Sequence, residues 1–302
     1  MRSAFIHVGM PKSGTTAIQT ALDTHRGDLA RQGLCNPDTM LLNHLALITR
    51  FHPRGSSHFY LGNKGVSPAE AEAQARMLWA QVCAAPRDVV VSSEYLAAAH
   101  ENYGMMAEAF VEAGLTPVFV CYVRHPVDAA ISAAQQSVKR GERSISETVE
   151  APKWANPVPT LRAAKATGHR VILRDYADAR DTGVVRDFLA AIGYDHAVPN
   201  LVETRTNNSL SMEGAALAEL YGAYLRETGK EPFPKAMIRT IPGTAFTLPE
   251  ETKARVRETA RREVDFIARH FGIHLRETAT PRPFAPHLTT KTLVELLKKI
   301  GV

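Results

Sequence analysis

Residues Gly9-Met10-Pro11-Lys12-Ser13-Gly14-Thr15-Thr16 bring two glycines, a lysine and three hydroxyl side chains into one short stretch. Gly9 and Gly14 permit backbone angles closed to other residues, so the chain here can wrap around a ligand. The stretch follows an apolar run at residues 4–8 that reads as a buried strand, and it precedes a helical pattern over 16–25. In that setting the N–H groups of Ser13 to Thr16 point into the wrap, and the helix start adds partial positive charge. That combination binds phosphate or sulfate. Lys12 adds a full charge, and the hydroxyls of Ser13, Thr15 and Thr16 add donors. In the GxxxxGK[ST] phosphate loop the lysine directly follows the second glycine. Here Thr15 follows Gly14 and Lys12 precedes it, which moves the charge to the loop's entry side.

A second group lies further along. The apolar run at 117–123 ends in Arg124-His125-Pro126, and Pro126 suits the first position of a helix patterned over 127–140. In open α/β sheets, ligands bind beyond the carboxyl ends of strands. Arg124 sits at such an end and Ser132 in the second turn of the helix that follows. Arginine is suited to gripping a phosphate through several hydrogen bonds at once.

Together, Pro-Lys-Ser-Gly-Thr-Thr and an Arg-His-Pro with a serine eight residues after the arginine resemble the cytosolic and Golgi-type sulfotransferase superfamily. The resemblance covers residues 3–195, and the wording from His7 to Thr16 is most similar to bacterial members. It implies that Lys12, Ser13, Gly14, Thr15 and Thr16 cradle the 5′-phosphosulfate of PAPS (3′-phosphoadenosine 5′-phosphosulfate). It implies that Arg124 and Ser132 bind the 3′-phosphate. Tyr176-Ala177-Asp178 is similar to a degraded form of the family's Tyr-Glu-Asp segment. The late Arg-Lys-Gly loop of many eukaryotic members has no copy, and Arg205 is the candidate substitute.

Sulfuryl transfer is close to phosphoryl transfer, an in-line displacement with charge spread over equatorial oxygens, and positioning plus electrostatics supply most of its catalysis. Lys12 is suited to neutralise the bridging oxygen as the 3′,5′-diphosphate leaves. The acceptor hydroxyl needs a base. Glu94 follows the strand pattern 88–92, just past its carboxyl end, where the resemblance implies that cytosolic relatives place a catalytic histidine. Partial burial would make this carboxylate a better base. His44 is the rival. His7, inside the first strand, is expected to pack or to orient the loop. No metal is expected, because no carboxylate cluster has metal-ligand spacing.

Strand patterns at 4–8, 89–92, 117–123 and 170–173 alternate with helical patterns at 16–25, 68–84, 103–113, 127–140 and 184–192. Such alternation predicts an α/β fold, a three-layer parallel sheet flanked by helices, P-loop-like at its first turn. Patterns at 211–228 and 249–271 predict a helical C-terminal half. The expected organisation is a single domain over 1–277, with residues 1–200 as the donor-binding core and 201–277 as the helical part. A linker and an amphipathic helix then occupy 278–302. Residues 51–67 and 151–159 read as loops.

With 302 residues, 45% hydrophobic and 22% charged, the chain belongs to the globular class and not to the disordered or fibrous ones. Thirty-six Lys and Arg against 31 Asp and Glu leave a formal charge of +5, with no long basic run. That favours a small anionic ligand over nucleic acid. Three scattered cysteines argue for a reduced compartment. No apolar run suits a transmembrane segment, and no signal peptide pattern opens the chain, so a cytoplasmic location is expected. The expected acceptor is a small molecule, carbohydrate or lipid headgroup. The loop carrying His52, Arg54 and His58 favours a polar or anionic acceptor, and a saccharide or glycolipid is the expected one, although no aromatic platform marks a sugar site. The sequence carries no signal of oligomeric state. Two alternatives stay open: a P-loop kinase or NTPase using ATP and magnesium, and a non-catalytic nucleotide sensor.

Overall fold

The structure, a computed structural model, describes residues 2–38, 43–51, 65–198, 201, 209–285 and 288. These residues form two compact units. The first is built from Met1–Arg124, Asn156–Glu203 and Asp265–Arg276, the second from His125–Ala155, Thr204–Val264 and Glu277–Val302.

In the first unit five strands run parallel: β1 (Arg2–Val8), β2 (Leu34–Cys35), β3 (Asp88–Ser93), β4 (Leu115–Val123) and β5 (Arg170–Asp175). Their order is β2-β3-β1-β4-β5. Successive side chains point to opposite faces. Ile6, Val8, Val89, Val91, Phe119 and Cys121 therefore enter one core, and Phe5, Val90, Val118, Val120 and Tyr122 the other. The second core is closed by α1 (Thr15–Thr24) and α2 (Arg26–Arg31) through Ile18, Leu22 and Leu29. The first core is closed by α3 (Pro68–Ala84), α4 (Tyr103–Glu112) and α5 (Val158–Ala166) through Leu78, Met106 and Leu161. Returning to the second, α6 (Val184–Ala191) adds Val185, Phe188 and Leu189. The result is the expected three-layer α/β fold, and its central strand, glycine loop and helix make it P-loop-like.

The four apolar runs lie inside four of these strands, and the strands extend beyond them. Strand β4 starts at Leu115 although Pro117 lacks an N–H. Its first pair with β5 is Val118↔Arg170, so at Pro117 only β1 borders it. Strand β2, two residues long, is too short for any periodicity to reveal. The 151–159 loop is shorter than expected, because Pro157 and Pro159 open α5. Proline suits a helix start, where its missing N–H leaves no bond unmade.

The second unit is helical. Helices Pro126–Arg140, Ile145–Glu150, Met212–Thr228 and most of Glu250–Phe271 contribute Val127, Val138, Ile145, Leu217, Tyr221 and Val256 to its core. Among the described residues no strand follows β5; Ser211 and Ala245 form only an isolated bridge. The stretch expected to be an extended linker is tied down within this unit. Thr278 donates its N–H and its hydroxyl to the Asp128 carboxylate at 2.8 and 3.0 Å, and Ala279 and Phe284 join the core. Arg205, His52, Arg54, His58 and the segment after Leu288 lie outside the described residues.

Phe188 is fully buried and faces His7 across 5.2 Å between ring centroids. Phe188→Ala is expected to lower the unfolding free energy by about 3–5 kcal/mol, read from urea denaturation.

Candidate active site

Beyond Val8 the β1–β3 ladder continues for one more contact, Gly9 N–H to the Ser93 carbonyl at 3.2 Å. A Cβ on Gly9 would lie 2.6 Å from both Thr15 Cγ2 and Thr15 Oγ1, and 3.0 Å from Glu94 Cα. Only glycine lets the loop, the start of α1 and the end of β3 come this close. Lys12 has φ +65°, the one positive φ at a non-glycine position among the described residues, and Gly14 has φ +82°. A left-handed backbone at a lysine is strained, and such strain gathers at functional sites. Alternating handedness also turns successive N–H groups to one side, making an anion-binding concavity.

Ser13 is 1% exposed and braces the loop from within. Its N–H and its hydroxyl donate to the Met10 carbonyl at 3.3 and 2.6 Å. The expected outward-facing N–H at Ser13 is therefore engaged inside the turn. Gly14 caps α1, its carbonyl taking the N–H groups of Ala17 and Ile18. Helix geometry leaves the N–H groups of Thr15 and Thr16 without intrahelical acceptors. Thr15 Oγ1 is buried and has no hydrogen-bond partner among the described residues. Thr16 and Lys12 are exposed.

Arg124, half-buried just past β4, reaches back to this loop. Its Nη1 donates to the Lys12 carbonyl at 3.3 Å, and its guanidinium lies 5.3 Å from the centre of the Tyr176 ring. Tyr176 also closes on the loop, since a Cβ at Gly14 would meet Tyr176 Cε2 at 3.0 Å. The helix Tyr176–Thr182 is capped by Asp175, which accepts from Ala177 N–H at 2.9 Å. Arg276 holds the same segment through Asp178 at 3.1 Å and Asp181 at 2.6 Å. Ser132 lies in the second unit, half-buried on helix Pro126–Arg140.

Glu94 opens the 3₁₀ segment Glu94–Asn102, whose cap is Ser93, accepting from Tyr95 N–H at 3.3 Å. It stands at the expected place past β3 but is exposed, not partly buried as expected. His44 is 3% exposed and both its ring nitrogens are engaged by main chain. Nδ1 accepts from Ser92 N–H at 2.9 Å, which leaves the ring proton on Nε2, facing the Pro37 carbonyl at 3.2 Å. Burial holds this imidazole down at about 4. His7 is fully buried, held down at about 3 by burial, with Nδ1 2.7 Å from Ser92 Oγ.

The structure thus brings Lys12, Gly14, Thr15, Thr16, Arg124 and Glu94 to the carboxyl ends of three adjacent strands, β3, β1 and β4. Sequence reasoning missed Ser92 and Gln19, whose Nε2 donates to the Ser92 carbonyl at 3.3 Å. The available signals were a serine doublet closing an apolar run and a glutamine on the apolar stripe of α1. No group of three or more His, Cys, Asp or Glu among the described residues is placed to hold a metal ion. No helix among them is long and apolar enough to cross a membrane.

No family model matches the chain, and no curated protein matches it. Solved structures similar to it include a sulfotransferase from Alicyclobacillus acidocaldarius, at 19% identity and TM-score 0.38, covering 76% of this chain and 97% of that one. The sulfotransferase domain from the curacin biosynthetic pathway is similar at 14% identity and TM-score 0.36, covering 86% of this chain and 98% of that domain.

Two outcomes follow from the geometry. Gly9→Ala is expected to destabilise the protein by about 1–3 kcal/mol, because the Thr15 side chain first, and then the Glu94 main chain, must shift to admit a methyl group; chemical denaturation reads this. Unfolded histidines bind protons below pH 6.5, whereas His44 and His7 in the fold wait until about 4 and about 3. The unfolded state binds more protons in that window, so the stability contribution is complete above pH 6.5 and falls as pH drops toward 4. Urea midpoints measured from pH 7.5 to pH 4.5 should fall, and His44→Asn should flatten the slope.

Proposed function

We propose that this chain is a PAPS-dependent sulfotransferase acting on the hydroxyl of a small-molecule acceptor. The observation that carries the reading is the convergence in one unit of an anion cradle, Arg124 and a strand-end carboxylate. Arg124 donates to the carbonyl of Lys12 itself, and the main chain of Glu94 lies against Gly9. The cradle fits an anionic group: the first N–H groups of α1 are there, and the buried Thr15 hydroxyl lacks a partner among the described residues.

When bound, PAPS supplies the sulfuryl group and a 3′,5′-diphosphate leaving group. Thr15, Thr16 and Gly14 hold the phosphosulfate end through main-chain donors, and Lys12 stabilises the negative charge that grows on the departing phosphate oxygen. Arg124 contributes to the 3′-phosphate site. Glu94 takes the proton of the acceptor hydroxyl as the oxygen attacks. Its exposure leaves it open to an acceptor arriving from solvent. His52, Arg54 and His58, which favour a polar or anionic acceptor, lie outside the described residues.

Calorimetric titration with 3′,5′-diphosphoadenosine, against ATP with magnesium, tests the donor. Binding of the diphosphate in preference to ATP is expected; the reverse preference overturns the reading. Lys12→Ala should lower turnover by about 10²–10³-fold, the scale set by loss of one charge-stabilising donor. Arg124→Ala should mainly weaken diphosphate binding. Glu94→Gln should lose about 10²–10⁴-fold in kcat at unchanged donor affinity.

A further inference from the structure

We propose that His44 is a positioning residue that holds Ser92, and through it Glu94, in register with the anion cradle. This rests on the reading of Glu94 as the base. The reason lies in the shortness of β2. It pairs with β3 only at Leu34↔Asp88 and Cys35↔Val89, so no strand among the described residues borders the rest of that edge of β3. Ser92 is fully buried there, and its N–H and carbonyl point away from β1 while the next carbonyl, that of Ser93, takes Gly9 N–H. Buried main-chain groups require partners.

His44 supplies both. Its own N–H donates to the Ser92 carbonyl at 2.9 Å, and its Nδ1 accepts from Ser92 N–H at 2.9 Å. One residue does the work of a missing strand, with an imidazole in place of a carbonyl. The Pro37 carbonyl fixes the other side of the ring at 3.2 Å. Two further contacts converge on Ser92. Gln19, on the helix that springs from the cradle, donates to its carbonyl at 3.3 Å, and His7 of β1 shares a hydrogen bond with its hydroxyl at 2.7 Å. Ser92 is therefore the point at which β1, α1 and the 43–51 segment meet, two residues before Glu94. Removing the imidazole strands a buried N–H at that point, and the end of β3 must move to recover a partner.

The role differs from that of a base in what can replace it. Asparagine places Oδ1 about where Nδ1 stands and can accept from Ser92 N–H, yet it cannot take up a proton. Turnover is read as release of 3′,5′-diphosphoadenosine from PAPS, with 4-nitrophenol and with water as acceptors. His44→Ala is expected to lose kcat about 10²-fold, the cost of a displacement near 1 Å, while KM for PAPS stays unchanged. His44→Asn is expected to restore most of the rate. An asparagine variant that folds but is as slow as the alanine one overturns the proposal, as does an equal rise in KM for PAPS. Should His44→Ala not fold, the asparagine variant decides alone. Imidazole ¹⁵N spectra of the intact protein give a reading independent of turnover. His44 is expected to remain the neutral Nε2–H tautomer from pH 8 to pH 5, and titration near pH 6.5 overturns the assignment. Full turnover in Glu94→Gln removes instead the base on which the proposal rests, and that result is read from that variant alone.

Discussion

The hydrogen bond from Gly9 N–H to the Ser93 carbonyl holds the candidate active site together. It extends the β1–β3 ladder one residue beyond β1, to where the chain turns toward α1. The loop that carries Lys12 and the residue that begins Glu94's segment are thereby neighbours by main-chain geometry alone. The missing Cβ at Gly9 is what makes the contact compatible with the return of Thr15. A parallel sheet forces this logic. Its strands all deliver their carboxyl ends to one edge, and the three central ones deliver the cradle, the arginine and the carboxylate together.

The cradle is a strained piece of backbone held by its surroundings. A left-handed lysine is unfavourable by itself, and three contacts oppose the strain: the two Ser13 bonds to Met10 and the Arg124 bond to the Lys12 carbonyl. Arg124 does double duty, for the same guanidinium that holds the loop lies over Tyr176. Positive charge is thus gathered around neutral main-chain donors. This arrangement suits an anion that must be gripped before reaction and then released with more charge than it brought.

The edge of β3 shows how a sheet can end without a strand. Where β2 stops, the segment containing His44 takes over, and the bonding capacity of buried Ser92 is met by side chains from three directions. Imidazoles buried in this way remain neutral over the ordinary pH range because desolvation penalises their charged form. Their contribution is shape and hydrogen bonding.

Much of this was legible in the chain itself. Apolar runs marked four of the five strands; in β1, β3 and β4 they arise because strands buried on both faces must be largely apolar. The glycine, lysine and hydroxyl string announced an anion site because few backbone geometries need those residues in that order. Tertiary structure decided the rest. A two-residue strand has no periodicity to read, and nothing local distinguishes a histidine that accepts from a buried N–H from one that takes a proton. Ser13 reads as a ligand donor until its hydroxyl is seen turned inward to Met10, and Glu94 reads as half-buried until its exposure is known. The sequence by itself determined which segments become strands and which residues can grip an anion, since these follow from side-chain polarity and backbone freedom. Only the folded chain decided which of them face the ligand and which hold the frame, because that depends on partners distant in sequence.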